Sequence, residues 1–296
     1  MTSAPSHDRI SLAPTAQLRR RKIVGWFAEA VMMLAALVAV AALALVVGSV
    51  IAHGHSALTA DFFTKTPAAF GESGGGIANS IVGTIVLVAL AAAFSLPVGI
   101  LIAVYTSELA PPRVGQLVGL ALDMLNGLPS VVIGIFVYAL LVIGSGQSAI
   151  KGAFALSIVM LPLVARSTQE VLALVPSTLR EASQALGVSR WRTVLGVILP
   201  TSLGGIFTGA TLAVARAAGE TAPLLFTCAL TTSEVNWDPR APLQSIPLTI
   251  FEYFEQPDPA LHAQAWAAAL VLMSFVLVVS IASKVVLARN RRKLSR

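Results

Sequence analysis

Charged side chains are scarce in this sequence: Lys, Arg, Asp and Glu together make up 11% of its 296 residues. Soluble domains carry about 25%, so a soluble globular protein is excluded. Cysteine is nearly absent, and the single Cys228, inside an apolar run, rules out a disulfide framework and a cysteine-based metal site. Histidine is rare too. His53 and His55 lack companion ligands and read as solvated residues at a membrane surface. No G-x-x-x-x-G-K-[ST] string occurs, so the chain lacks the glycine-rich loop that cradles nucleotide phosphates. There is also no internal repeat, no low-complexity tract and no polar segment large enough to fold alone.

What the chain has in abundance is apolar sequence: 56% of residues are hydrophobic and the mean hydropathy is +0.83. Runs of about 20 apolar residues, the length that crosses a bilayer, fall at 24–52, 77–105, 117–143, 150–167, 201–229 and 263–287. The fourth is the shortest. The first is far longer than the roughly 7 to 15 residues of a signal-peptide core and reads as an uncleaved span. The fold class is therefore an all-α integral membrane protein with six transmembrane helices. A basic tail at 1–23 precedes a six-span body at 24–287, whose largest inner loop covers about 168–200, and a second basic tail follows at 288–296.

Most basic residues fall inside when the N-terminus is placed in the cytoplasm. They include Arg19, Arg20, Arg21 and Lys22, the loop residues Arg166, Arg180, Arg190 and Arg192, and Arg289, Arg291, Arg292 and Lys293. Both termini are then cytoplasmic by the positive-inside rule. The tails read as topology signals attracted to anionic lipid rather than as nucleic-acid contacts. On the outer side, the stretch from Gln244 to Gln256 is amphipathic and is expected to lie along the interface.

Four spans contain a proline: Pro97, Pro129, Pro162 and Pro223. Each removes a backbone donor and favours a kink, which lipid tolerates only where protein or water satisfies the freed carbonyls. The third span adds Asp123, Asn126 and Ser130 around its proline. The fifth carries Arg216 and Glu220, four residues apart and hence on one helix face. Gly205, Thr208, Gly209, Leu212, Gly219 and Pro223 extend that face. At ~1.5 Å per residue from Thr201, Arg216 lies roughly 22 Å from the inner boundary of a core about 30 Å thick. Intramembrane charges rarely face lipid. Either they line a path, with the arginine fork suited to two oxygens of an oxyanion, or they form a structural ion pair. Asp123 is a candidate second partner for Arg216.

The inner loop is ordered in pattern. From Pro176, PSTLREASQALG begins with a capping-box match, Thr178 and Glu181, and ends at Gly187, a C-terminal cap. Leu179, Ala182 and Leu186 share one face, and Ser189 is placed to cap a second helix. A helix of two turns is unstable alone in water, so its apolar face needs a partner or a lipid surface.

The sequence Glu181-Ala182-Ser183, then Gly187, then Ile198-Leu199-Pro200 resembles the EAA signature of permease subunits of bacterial ABC importers, with Ser183 in place of an alanine. The strings ARAAGETAPLLFT from Ala215, NGLPSVVIGIFVYAL from Asn126 and AWAAALVL from Ala265 look like the PstA-type permeases of phosphate importers. That resemblance implies a type I importer permease fold and one half of a path for inorganic phosphate, for which the residues read from the spans are Arg216, Glu220, Thr208, Asp123 and Asn126. It implies that Glu181, Ala182, Ser183 and Gly187 belong to a coupling helix seated in a groove of an ATPase. ATP and Mg would then sit on that partner, leaving this chain a non-enzymatic subunit without a cofactor of its own. The implied partners are an ATP-binding dimer, a second homologous permease and an extracytoplasmic phosphate-binding protein, in a cytoplasmic membrane. A permease for another oxyanion, a stand-alone secondary transporter using Arg216 and Glu220 as a relay, and a membrane anchor that recruits a cytoplasmic protein remain alternatives.

Overall fold

The computed structural model describes residues 16–68, 74–229 and 234–294, with side chains between 20 and 285. Residues 1–15 of the expected basic tail, and the side chains of Arg19, Arg289, Arg291, Arg292 and Lys293, lie outside the described residues. The described residues up to 52 form one compact unit and those from 53 onward another. Helix α1 (Ala16–Gly54) begins before the expected first span, so Arg20, Arg21 and Lys22 belong to its opening turns. At ~1.5 Å per residue its 39 residues exceed a 30 Å hydrocarbon core.

In the second unit α2 (Ala60–Thr64) is capped by Thr59, whose Oγ1 accepts from Phe62 N at 3.2 Å. Helix α3 (Ala78–Val104) continues through a π turn at Tyr105–Leu109. Then come α4 (Pro112–Gly127) and α5 (Ser130–Val137), the latter extended by a π turn at Tyr138–Val142. Helix α6 (Ala149–Ala173) is followed by the short α7 (Ser177–Ala185) and α8 (Arg190–Thr193). A π turn at Val194–Ile198 leads into α9 (Leu199–Ala218), and α10 (Ala222–Thr227), α11 (Ile246–Glu255) and α12 (Pro259–Leu294) complete the order.

Among the described residues, five helical segments are long and apolar enough to cross a membrane, and the α4–α5 pair supplies a sixth only as a span bent by 96°. The kink expected at the proline of the third span is thus a full break between two helices. Leu128 is extended, at φ −71° and ψ 134°, as the residue before a proline prefers, and Gly127 just ahead of it adds backbone freedom. The same pairing of glycine with proline, Gly219 with Pro223, accompanies the break in the fifth span. Pro97 and Pro162, without a nearby preceding glycine, stay inside α3 and α6. Pro200 is accommodated by the π turn just before it, whose wider hydrogen-bond ring absorbs the missing donor.

The expected fourth span also changes in standing. Its apolar run stops at Arg166, but the helix continues to Ala173 because Arg166 and Gln169 find polar partners on neighbouring helices. It is the centre of the fold. Leu87 and Ala91 of α3, Ala153, Leu156, Met160 and Val164 of α6, Ala213 and Ala217 of α9, and Leu224 of α10 make one buried cluster. Its many small side chains let backbones approach closely, which is how membrane helices gain dispersion energy without a hydrophobic drive.

One face of helix α11 is buried against the rest of the bundle and the other is exposed, as its amphipathic pattern suggests. Ile246, Pro247, Leu248, Thr249 and Tyr253 are buried, leaving Phe251 and Phe254 outward. The deciding contacts are polar. Asn79 Nδ2 donates to Gln244 Oε1 at 2.9 Å, Ser80 and Thr249 hydroxyls meet at 2.6 Å, and Ile246 N donates to Thr84 Oγ1 at 2.8 Å. Gln244 then donates to Glu252 at 2.7 Å. Gly83 keeps the two elements close, since a Cβ there would collide with the Gln244 carbonyl.

Tyr253 contributes only its ring. Its hydroxyl is buried without a hydrogen-bond partner, and burial, with the Glu252 charge second, pushes its pKa up to about 12. A buried unpaired hydroxyl costs about 1–3 kcal/mol. Tyr253→Phe is therefore expected to leave thermal stability unchanged or raise it by about 1 kcal/mol, read as the midpoint of detergent-solubilised unfolding. A loss above about 1 kcal/mol would show that the hydroxyl has a partner.

Candidate functional site

Arg216 sits in the last turn of α9, where a cation complements the negative end of the helix dipole. The helix stops at Ala218, with Gly219 as its C-cap, and α10 restarts at Ala222. Glu220 is therefore in the break and not one turn further along a continuous helix as the spacing suggests. It still reaches back: Arg216 Nε and Glu220 Oε1 are 3.5 Å apart, with side-chain exposures of 57% and 15%. The contact is loose, and the Glu220 side chain is largely enclosed while that of Arg216 is open to its surroundings.

The guanidinium borders a cleft of about 200 Å³ whose other wall is the α4–α5 break: Asn126, Leu128, Pro129, Ser130 and Ile133. Two broken segments meet here because α10 packs on α5. A Cβ at Gly134 would stand 2.8 Å from Pro223 Cα, so only glycine permits the approach. Arg216 and Asn126, 90 residues apart in sequence, are thus brought together, and Ser130 joins them.

The other expected path residues lie elsewhere. Thr208 is on the exposed face of α9 with Leu212 and Arg216, its hydroxyl donating to Gly204 O at 2.9 Å. Gly205 and Gly209 face Val171 and Ser167 of α6, so these glycines serve helix packing. Asp123 is paired with Arg166 and not with Arg216. Arg166 Nε donates to its Oδ1 at 2.9 Å, while Nη2 donates to Gly119 O at 2.6 Å and Nη1 to Gln169 Oε1 at 3.0 Å. Gln169 in turn donates to Thr106 at 2.7 Å, so this network ties α4, α6 and the end of α3.

At that end of α3 stands α7. Its expected capping box does not form: Pro176 is the N-cap, no side chain caps the helix, and Thr178 falls inside the first turn. The Pro176 carbonyl accepts from Leu179 N at 3.2 Å, starting the helix two residues early. Ser189 precedes α8 as expected, but its hydroxyl makes no cap bond. The C-terminal end does match the sequence pattern. Gly187 has φ +71°, Val188 N donates to Ser183 O and Gly187 N to Gln184 O, which is the Schellman pattern. Ser183 is buried and donates to Leu179 O, whereas Glu181, Ala182, Leu179 and Leu186 are exposed, Leu186 by 83%.

One buried ion pair escapes sequence reasoning altogether. Arg180 Nε and Nη2 donate to the two oxygens of Glu108 at 3.1 and 2.6 Å, and its remaining donors meet Val175 O and Leu172 O. The bond to Glu108 holds the guanidinium above its ordinary pKa. The Glu108 side chain is 7% exposed. Nothing local signals a pairing across 72 residues.

Broken membrane helices meeting at a polar cleft, with a short capped helix clamped beneath the bundle, define a transport subunit of a membrane permease. The chain belongs to the family of binding-protein-dependent transport system inner membrane components, whose model matches residues 95–292. It is 38% identical over 235 residues to the phosphate transport system permease protein PstA of Haemophilus influenzae, covering 79% of this chain and 83% of that one. It is 36% identical over 279 residues to the PstA of Xylella fastidiosa strain Temecula1, covering 92% and 96%. Among solved structures, the alginate ABC transporter bound to its alginate-loaded periplasmic protein matches with a TM-score of 0.63 at 15% identity, over 90% of this chain and 96% of that one. The inward-facing MetNI methionine transporter matches at 0.57 and 18%, over 72% and 94%. These neighbours share the fold.

Proposed function

We propose that the protein is a permease subunit of an ATP-driven phosphate importer and forms one side of the phosphate path. The observation that carries the substrate is its kinship with phosphate permeases over nearly the whole chain, 36% identity across 92% of it. The geometry supports the same reading: a half-exposed arginine, an amide and a hydroxyl converge on one cleft. Arginine meets a partly dehydrated oxyanion with a fork of donors, and Glu220, loosely held, is a counter-ion that the anion displaces and that returns on release. The cleft lies on the exposed side of α9 and α5, which leaves room for a second permease subunit to complete the path. The apolar face of α7, with Leu186 outermost, suits docking into a cytoplasmic ATP-hydrolysing partner that carries ATP and Mg. This orientation puts both termini in the cytoplasm and α11 on the outer side, where a phosphate-binding protein would deliver its cargo near Phe251 and Phe254.

The test is uptake by vesicles holding the full complex. Labelled phosphate should enter only with internal ATP and external binding protein, and excess sulfate or molybdate should not compete. Competition by either would reassign the substrate to another oxyanion, and ATP-independent uptake by this chain alone would reassign it to a secondary transporter.

A further inference from the structure

The clamp between Glu108 and Arg180 lies outside the cleft at Arg216, and it is the least exposed ion pair among the described residues. The carboxylate is nearly buried and grips the guanidinium through both oxygens. The guanidinium also holds the carbonyls of Val175 and Leu172 at the end of α6. Such a fork-to-fork pair fixes orientation as well as distance. The principal packing of α7 is otherwise onto α8 and the π turn after it, its own continuation in the chain. Glu108 is thus the chief side-chain link from α7 to a sequence-distant membrane helix.

Local structure places it there. Glu108 lies within the π turn at Tyr105–Leu109, which holds one more residue than an α turn, and the helix ends at the extended Ala110 just beyond it. From Glu108, α3 runs unbroken to Ala78 and packs along α6. Its far end is fastened to α11 by the Asn79–Gln244, Ser80–Thr249 and Thr84–Ile246 bonds. The same helix is therefore held by polar contacts at both ends.

We infer that Glu108 is a positioning residue of the transport cycle: through Arg180 it makes α3 follow the displacement of α7, carrying motion from the ATPase side to α11. The inference rests on the proposed docking of α7 to the ATPase. It assigns the joint to a stiff lever, α3 itself, and not to the cleft at Arg216.

Glu108→Gln in the reconstituted complex should keep assembly and ATP hydrolysis while lowering phosphate uptake at least about tenfold, the loss of one charge-assisted link, so that ATP consumed per phosphate rises by the same factor. Ser107 and Gln184 line one cleft beside the pair, and the native Cys228 is buried. A short thiol-reactive tether between Ser107→Cys and Gln184→Cys should therefore restore the ratio in the Glu108→Gln background, which a fault in folding would not allow. Where Glu108→Gln fails to assemble, Arg180→Lys keeps the charge but loses the fork, and a severalfold rise in the ratio is expected. A wild-type ratio in whichever assembled variant is obtained overturns the joint. A photo-cross-linker at Leu186 examines the underlying reading separately. Adducts to the ATPase together with a wild-type ratio overturn the joint alone, and absence of adducts overturns the docking of α7 and the joint with it.

Discussion

Arg216→Gln is expected to lower phosphate uptake by about one to two orders of magnitude while leaving the complex assembled and inserted. The Arg216 side chain is 57% exposed and meets Glu220 at 3.5 Å, so its shortening opens no cavity in the buried core, and the glutamine amide still offers a donor to the enclosed Glu220 carboxylate. What is lost is a charge-assisted bond to the anion, worth about 1.5–3 kcal/mol, or roughly 10- to 150-fold in rate at about 1.4 kcal/mol per decade. Arg216→Lys should fall between, since an ammonium supplies charge without the planar fork. Glu220→Gln separates a structural pair from a counter-ion. A counter-ion gives an assembled complex with slowed phosphate release, whereas a structural pair gives misassembly, measured as loss of co-purifying ATPase. Wild-type uptake by an assembled Arg216→Gln complex would remove this arginine from the path.

The second large effect is expected at the end of α7. Gly187 has φ +71° and open space around the position of a Cβ, so substitutions there act through the backbone alone. Valine in the left-handed region costs about 1–2 kcal/mol or more, whereas asparagine tolerates it. If the ATPase engages α7 only when its Schellman end is formed, Gly187→Val should weaken co-purification roughly 5- to 30-fold, and Gly187→Asn should stay near wild type. Glu181→Lys, on the exposed face, should give a similar loss without any change in helix content. Equal binding by the valine and asparagine variants would show that the cap does not govern docking.

These sites differ in how far the sequence announced them. Gly187 was legible because a left-handed cap is set by one residue, and Arg216 because a charge in an apolar run stands out whatever the fold. The break at Gly127–Pro129 was legible as a weakness but not as a bend of 96°. A proline reports a missing donor, and the angle depends on how α5 packs against α10. The capping-box pattern at Thr178 misled because a proline immediately before the helix started it earlier. The Glu108–Arg180 and Asp123–Arg166 pairs could not be read at all, since partners 72 and 43 residues apart leave no local period. Stretches judged apolar were placed well, and polar residues whose meaning depends on a distant partner were not.

The Asp123–Arg166 pair also sets an order of events during synthesis. Asp123 emerges from the ribosome 43 residues before the arginine that neutralises it, an interval of roughly 2–9 s at about 5–20 residues per second. In that interval α4 carries a carboxylate whose partner has not yet been made, at the end of the bundle where Thr106 and Gln169 also meet. Docking of α4 onto α6 through this pair therefore follows the synthesis of α6, so the bundle closes at this end only after four of its long helices have been made.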